Sequence, residues 1–358
     1  MRSIVICIVF MSVVFVGRAQ EGVKFEDLTF EQALKKSKEE KKLVFMDCYT
    51  QWCGACKVML NTVFREKEAG DFFNSRFICL KCDMEVSEGV ELAKRFGVKG
   101  FPTFLLIRPD GTEQHRILGG SSSLKDFIAW VEMGARKETS LDYLTKLYAA
   151  GKMKKKQLRD YHWALYHAGF REKDKEIMTK LAEKLSNKDW LQEDFSFLLG
   201  EIKYGDDRFK YMIENLSSLR KNYKEQESIN SWLYSIYGVR LKDCLYWEEF
   251  RTKEGLEKLG KICQEVEMVG MQDDERLKSA YMLANDCIKK DAEKIVLMLE
   301  DTTFREKKGY VRLVLSLLDY MSDKVDGVQA RKVVESGERI MKQLDMQDLK
   351  EVIEKYKQ

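Results

Sequence analysis

Proline is almost missing from this chain. Two of its 358 residues are proline, where average usage would give roughly 18, and that scarcity excludes a Pro-rich linker, a collagen-like stretch or a mucin-like stalk. Both prolines, Pro102 and Pro109, lie in the first third, and the 249 residues after Pro109 contain none. Proline is the strongest breaker of a helix interior, so long uninterrupted helices are expected there. Histidine is scarce too. His115, His162 and His167 are scattered, with no acid at a telling spacing, and they are assigned no catalytic role.

Long apolar runs are missing with one exception. Ile4 to Val16 is almost wholly apolar, follows the short charged start Met1-Arg2, and precedes Gly17-Arg18-Ala19, small residues of the kind a signal peptidase reads. Residues 1–19 are expected to be a secretory signal, because the run falls well short of the roughly 20 residues a spanning helix needs. Cys7 lies inside that run, so a lipid-modified cysteine after it is not indicated. The remaining chain is expected to be periplasmic or secreted, with no stable membrane insertion. An excess of charge of one sign is missing as well. Without Arg2 and Arg18 the basic count falls from 62 to 60 against 59 acids, a net charge of +1, which points to neither nucleic-acid binding nor a membrane-surface role. The basic run Lys152 to Lys156 reads as a solvated helix entry.

What the chain does have is material for packed cores: 44% hydrophobic and 11% aromatic residues argue against disorder despite 34% charge. The length suggests about two domains. From about Phe25 to Arg136, helical and extended patterns alternate. Thr29 with Gln32 three residues on predicts a capped helix to about Lys41. Leu43-Val44-Phe45-Met46 and Phe77 to Cys82 read as buried strands, with a helical stretch between them after Cys56. Val86 to Phe96 reads as a helix stopped by Gly97. Thr103 to Ile107 and Glu113 to Leu118, joined by Pro109-Asp110-Gly111, read as a hairpin. Ser121 to Ser123 cap a last helix to about Arg136. This order describes an α/β domain, a small central mixed sheet with helices on both faces.

From Ser140 onward apolar residues recur at three and four residue spacings, as at Leu141, Leu144, Leu147 and Tyr148. Roughly ten to twelve helices are expected, an all-α irregular array, since no register holds for a repeat of 33 to 45 residues. The domains are accordingly 20–137 and 138–358.

The chemistry concentrates at Trp52-Cys53-Gly54-Ala55-Cys56-Lys57. This run follows a buried strand and opens a helix. A thiol at a helix N-terminus faces unpaired N–H groups and the positive end of the dipole, which favour thiolate. The thiolate attacks in disulfide exchange, and a second cysteine one turn later resolves the mixed disulfide. Cys53 is the candidate nucleophile and Cys56 the resolving thiol. Asp47, in an apolar strand beside Phe45 and Met46, is a proton store if burial raises its pKa, or an acid that caps the next turn. A rival is zinc, since Cys53-x-x-Cys56 and Cys79-x-x-Cys82 stand near zinc-ribbon spacing. Cys79 and Cys82 lie in a strand-like run, however, where positions three apart face opposite sides. Cys48, Cys79 and Cys82 read as small core hydrophobes. Cys244, Cys263 and Cys287 read as core too, with a disulfide between two of their helices left open.

The run Asp47 to Lys57, with Lys81 on a strand and Gly100-Phe101-Pro102-Thr103 beyond, resembles the thioredoxin family, and in particular exported thioredoxin-like proteins of Bacteroidetes-type bacteria that carry a helical extension. The likeness covers about residues 25 to 136. It implies that Asp47 manages the resolving thiol's proton, that Lys81 pairs with that acid, and that Pro102 is a cis-proline facing the disulfide. It also implies that Phe101 offers backbone groups to an extended substrate, and that Trp52 with Gly119-Gly120 rims the groove. Between the cysteines stands Gly-Ala where thioredoxin has Gly-Pro, a dipeptide that tunes the potential.

The resulting expectation is an exported thiol–disulfide oxidoreductase acting on protein disulfides, most simply as a reductase, with a redox-regenerating partner and no cofactor beyond its thiols. The competing expectation is an interaction protein whose helical region binds a partner and whose thioredoxin-like part is not catalytic.

Overall fold

The computed structural model describes residues 22–299, 308–344, 346 and 350–357. The expected signal of residues 1–19, with Cys7, lies outside them. The chain divides into two compact units, one ending at Lys184 and one beginning at Leu185.

The first unit is built on a four-stranded sheet in the order β2-β1-β3-β4, with β1 Leu43–Tyr49, β2 Phe77–Asp83, β3 Thr103–Ile107 and β4 Glu113–Leu118. β1 runs parallel to β2 and antiparallel to β3, so the central pair is buried on both sides. Alternation assigns the faces. Phe45, Cys79, Phe104, Leu106 and Ile117 point to one side, where α2 (Gly54–Asn61), α3 (Lys67–Arg76) and α5 (Leu124–Ala135) cover them. Val44, Met46, Cys48, Ile78, Leu80 and Cys82 point to the other, beneath α1 (Phe30–Glu40) and α4 (Glu88–Phe96). Phe45 anchors the first core: its ring packs on Phe64, Phe73, Phe77, Phe104 and Phe127 at centroid distances of 4.7 to 6.4 Å. Truncating such a side chain to alanine costs about 4 kcal/mol.

The local signals act as chemistry requires. Thr29 and Gln32 form a reciprocal capping box at α1, Gly97 ends α4 in the left-handed conformation, and the Ser123 hydroxyl caps α5. The helical stretch after Cys56 is broken rather than continuous. The Thr62 hydroxyl donates back to Val58 O at 2.8 Å, and a 3₁₀ turn at Val63–Arg65 separates α2 from α3. α4 begins at Glu88, two residues later than its apolar pattern.

Three further helices complete this unit: α6 Leu141–Ala149, α7 Lys155–Ala168 and α8 Arg171–Lys184. The Leu141 N–H donates to His115 Nδ1 on β4 at 3.1 Å, and Arg108 pairs with Asp142 at 2.8 Å. The last strand ends at Leu118 and the elements after it are helical, while compactness divides the chain at 184/185, because α6 and α7 pack on β4 and α8 packs on α7.

Among the described residues, fourteen α-helical segments follow Ser140, more and shorter than the ten to twelve long ones expected. The longest is Gly327–Leu344, and several have eight residues or fewer. Other devices end them. Asp206, Thr252 and Asp291 cap new starts, and Gly169, Gly205 and Gly270 adopt positive φ. A five-residue π-segment, Tyr234–Gly238, interrupts one helix where Gly238 lets the Tyr234 ring come within 2.6 Å of where a Cβ would stand. In the second unit Cys244, Cys263 and Cys287 are free and buried, on Val239–Tyr246, Lys253–Met268 and Lys278–Lys289.

Candidate active site

β1 ends at Tyr49, and the chain turns through Thr50-Gln51-Trp52 into α2. The Cys53 N–H donates to Thr50 O at 3.2 Å. Cys53 is itself the N-cap of α2: its Sγ accepts the Cys56 N–H at 3.0 Å, where a serine or aspartate oxygen would ordinarily sit. Cys53 and Cys56 are joined as a disulfide, with Cα atoms 5.4 Å apart. The sulfur of Cys53 therefore occupies the electropositive start of a helix, the place that best stabilises a thiolate once the bond opens.

Asp47 lies on β1, six residues before Cys53, and shares the face of Phe45 and Phe104 that α2 covers. It is buried, and its Oδ1 has no hydrogen-bond partner. Burial pushes its pKa up to about 7, partly opposed by the positive charge of Lys81. Lys81 stands beside it in register on β2. No salt bridge of 4 Å or less joins the two among the described residues, and the Lys81 ammonium rests over the Tyr49 ring at 4.2 Å from its centroid. The acid is thus coupled to a cation without being neutralised by it, and it titrates close to neutral pH.

The rim gathers at the same end of the sheet. Thr103 pairs with Cys48 and with Leu118, so the residue before β3, Pro102, and the residue after β4, Gly119, lie beside the loop that carries Cys53. The Phe101–Pro102 peptide is cis. Pro102 O accepts the Gly119 N–H at 2.8 Å, and Gly119 adopts φ +84°, open to glycine. Gly120 admits Met59 so closely that a Cβ would sit 2.6 Å from its sulfur. Trp52 is 67% exposed; its Nε1 donates to Glu85 at 3.0 Å and its ring meets Phe101 edge-on at 5.9 Å.

The other thiols of this unit differ in kind. Cys79 and Cys82 belong to the cores on opposite faces of the sheet, so the two Cys-x-x-Cys pairs do not converge on one ion. Burial pushes Cys79 up to about 12 and Cys82 up to about 11, and raises Cys48 well above the ordinary thiol value.

The histidines are not scattered, contrary to the sequence reading. His162 on α7 meets Asp174 on α8 at 2.6 Å, both buried, twelve residues apart across the Gly169 turn. His167 packs on Trp130 with ring centroids 4.3 Å apart and the planes tilted by 31°, and His115 accepts from Leu141. Burial holds His115 down to about 3 and His167 down to about 4. The Gly169 stop signals an antiparallel helix pair, and pairing its flanks would have found the His162–Asp174 contact. Nothing in the sequence marks the bond from Trp52 to Glu85.

A family model described as Thioredoxin matches residues 21–133. Thioredoxin-1 of Drosophila melanogaster is 34% identical over 83 residues, which cover 21% of this chain and 73% of that protein. A thiol:disulfide interchange protein DsbD of Pseudomonas fluorescens is 34% identical over 90 residues, but these span only 15% of its length and 24% of this chain. Among solved structures, a candidate disulphide-isomerase of Bacteroides thetaiotaomicron is 42% identical, covering 32% of this chain and 93% of that one with a TM-score of 0.30.

Proposed function

From the premise that this chain belongs to the thioredoxin family and is a thiol–disulfide oxidoreductase, we propose that it reduces protein disulfides outside the cytoplasm through Cys53 and Cys56. The observation that carries the reading is the placement of the Cys53 sulfur at the start of α2, bonded to Cys56, on the strand-to-helix turn that follows a buried Asp47 whose pKa burial raises to about 7.

In the proposed cycle the Cys53 thiolate attacks one sulfur of a substrate disulfide. The S–S bond of the substrate breaks, a mixed disulfide forms, and the released substrate thiolate takes a proton. Asp47, in its ionised form, then accepts the proton of the Cys56 thiol as that sulfur attacks Cys53, and passes it to the departing substrate thiolate. The substrate leaves with two thiols, and the Cys53–Cys56 disulfide remains, carrying the two-electron oxidation that a regenerating partner must reverse. Lys81 modulates the affinity of Asp47 for its proton. Trp52, Phe101, Pro102 and Gly119 shape the groove in which an extended substrate lies.

Export rests on the apolar run Ile4 to Val16 and the Ala19 cleavage position. Among the described residues no helix is long and apolar enough to cross a membrane. We assign catalysis to residues 20–137 and give residues 138–358 the task of positioning that module or recruiting clients; the exposed aromatic pair Tyr246 and Trp247 supports a binding role there.

The test is insulin-disulfide reduction driven by dithiothreitol, comparing wild type with Cys53→Ser. Equal rates would overturn the reading. The direction follows from the potential of the couple, with a value near −270 mV favouring a reductase and one near −120 mV an oxidase.

A further inference from the structure

Leu118, the last residue of β4, joins the rim of the site to the turn between α7 and α8. Its Cδ1 packs so near Gly100 that a Cβ there would lie 3.0 Å away, and its Cδ2 lies 2.5 Å from the corresponding point on Gly169. Leu118 thus fills the gap between the loop before Pro102 and the helical turn, yet it remains 45% exposed. Beyond Gly169 comes Phe170, 43% exposed.

The backbone of Phe170 is tied at both ends. Its N–H donates to Leu165 O at 3.0 Å, closing α7, and its carbonyl accepts the Asp174 N–H at 2.9 Å, opening α8. The Arg116 guanidinium stands 5.6 Å from its ring centroid on one side. An aromatic ring held this way loses little freedom when something packs on it, which is the property of a recognition anchor. An apolar strip therefore runs from Trp52 and Phe101 through Leu118 to Phe170, beginning at the disulfide and ending on a helical turn outside the matched family region.

Continuity with the disulfide's rim identifies what covers it. We infer that Leu118 and Phe170 form a specificity subsite that takes an apolar or aromatic side chain of the polypeptide substrate, near the disulfide being reduced. This rests on the disulfide-exchange reading above and adds to it a preference that Cys53 and Cys56 alone would not have. The occupant is a segment of the substrate itself; a second copy of this chain on the same strip would appear instead as self-association abolished by the same substitution.

The experiment uses the full-length reduced protein and cyclic peptide disulfides in which one Phe replaces Ser at each position flanking the cysteines. At one or more positions Phe is expected to raise kcat/KM of the wild type about tenfold over the Ser parent, falling below about twofold in Phe170→Ser and returning in Phe170→Tyr. Leu118→Ser should weaken the same preference. A wild type indifferent to Phe at every position, or a preference that persists in Phe170→Ser, overturns the inference while leaving disulfide exchange intact. Failure of the wild type to reduce any peptide faster than Cys53→Ser removes the exchange reading, and the subsite with it.

Discussion

The sheet-bearing unit and the helical unit bury their cysteines with similar thoroughness. Cys53 and Cys56 are 4% and 5% exposed, Cys263 is 4% exposed, and Cys244 and Cys287 are fully covered. Their surroundings nevertheless set them apart. In the helical unit, burial among side chains pushes Cys263 and Cys287 up to about 12, and Cys244, whose thiol donates to Glu249 at 3.3 Å, up to about 11. Cys53 begins a helix, its sulfur in contact with an N–H donor, and has a partner one turn on. The difference teaches that reactivity belongs to the position on the backbone, with burial alone making a thiol inert.

The comparison breaks most sharply at Cys53. Cys53→Ser should lower insulin-disulfide reduction to the uncatalysed background, a loss of about a thousandfold or more. Cys263→Ala, assayed beside it, should leave the rate within experimental error, because no dipole or partner makes that sulfur a nucleophile.

Asp47→Asn separates the acid's two effects. Without a proton acceptor for Cys56, release of the mixed disulfide should slow by about 10²-fold near neutral pH, read as accumulated mixed disulfide in rapid-quench mass spectrometry. Stability should move the other way. The folded value near 7 lies above the ordinary 3.8, so the native state holds this proton more tightly than the unfolded chain. The group's contribution is therefore complete below about pH 4 and is lost as pH rises through 7. The variant should exceed wild type by about 4 kcal/mol in urea unfolding at pH 8, and match it near pH 4.

The β4 flank should respond with the opposite sign. His115 is held down to about 3, below its ordinary 6.5, so the unfolded chain binds the proton first and stability is complete only above pH 6.5. Unfolding free energy should fall by about 3 kcal/mol from this residue as pH drops from 7 to 4. His115→Gln, which keeps an acceptor for Leu141, should flatten that slope. The smallest expected effect is on the inert side of the comparison: Cys263→Ala should cost about 1 kcal/mol of stability.

Much of this site was legible in the sequence because its signals are local. The capping pair Thr29 and Gln32, the Gly97 stop, the turn at Pro109-Asp110-Gly111 and the position of Cys53 between a strand and a helix are all settled within a few residues. The resemblance added Lys81 and Pro102, whose relation to Cys53 depends on strand order. What sequence reading missed is non-local or a matter of degree. His115 meets Leu141, His162 meets Asp174 and His167 meets Trp130, partners 12 or more residues away that only the packing of helices on β4 and on each other brings in. Lys81 lies beside Asp47 in register and its charge opposes the rise in the acid's pKa, but the contact of its ammonium with the Tyr49 ring carries no mark in the sequence. A lack of proline predicts long helices, but caps, glycines and a π-segment end a helix as well as proline does.

The cap on α2 has one more consequence. Its first turn is fastened twice, by a covalent bond between side chains and by the N–H of Cys56 on the sulfur of Cys53. Arrival of two electrons opens only the first fastening, and the charge left on sulfur strengthens the second. The protein therefore changes oxidation state without unwinding the helix that aims its nucleophile, and each turnover starts from a weapon already pointed.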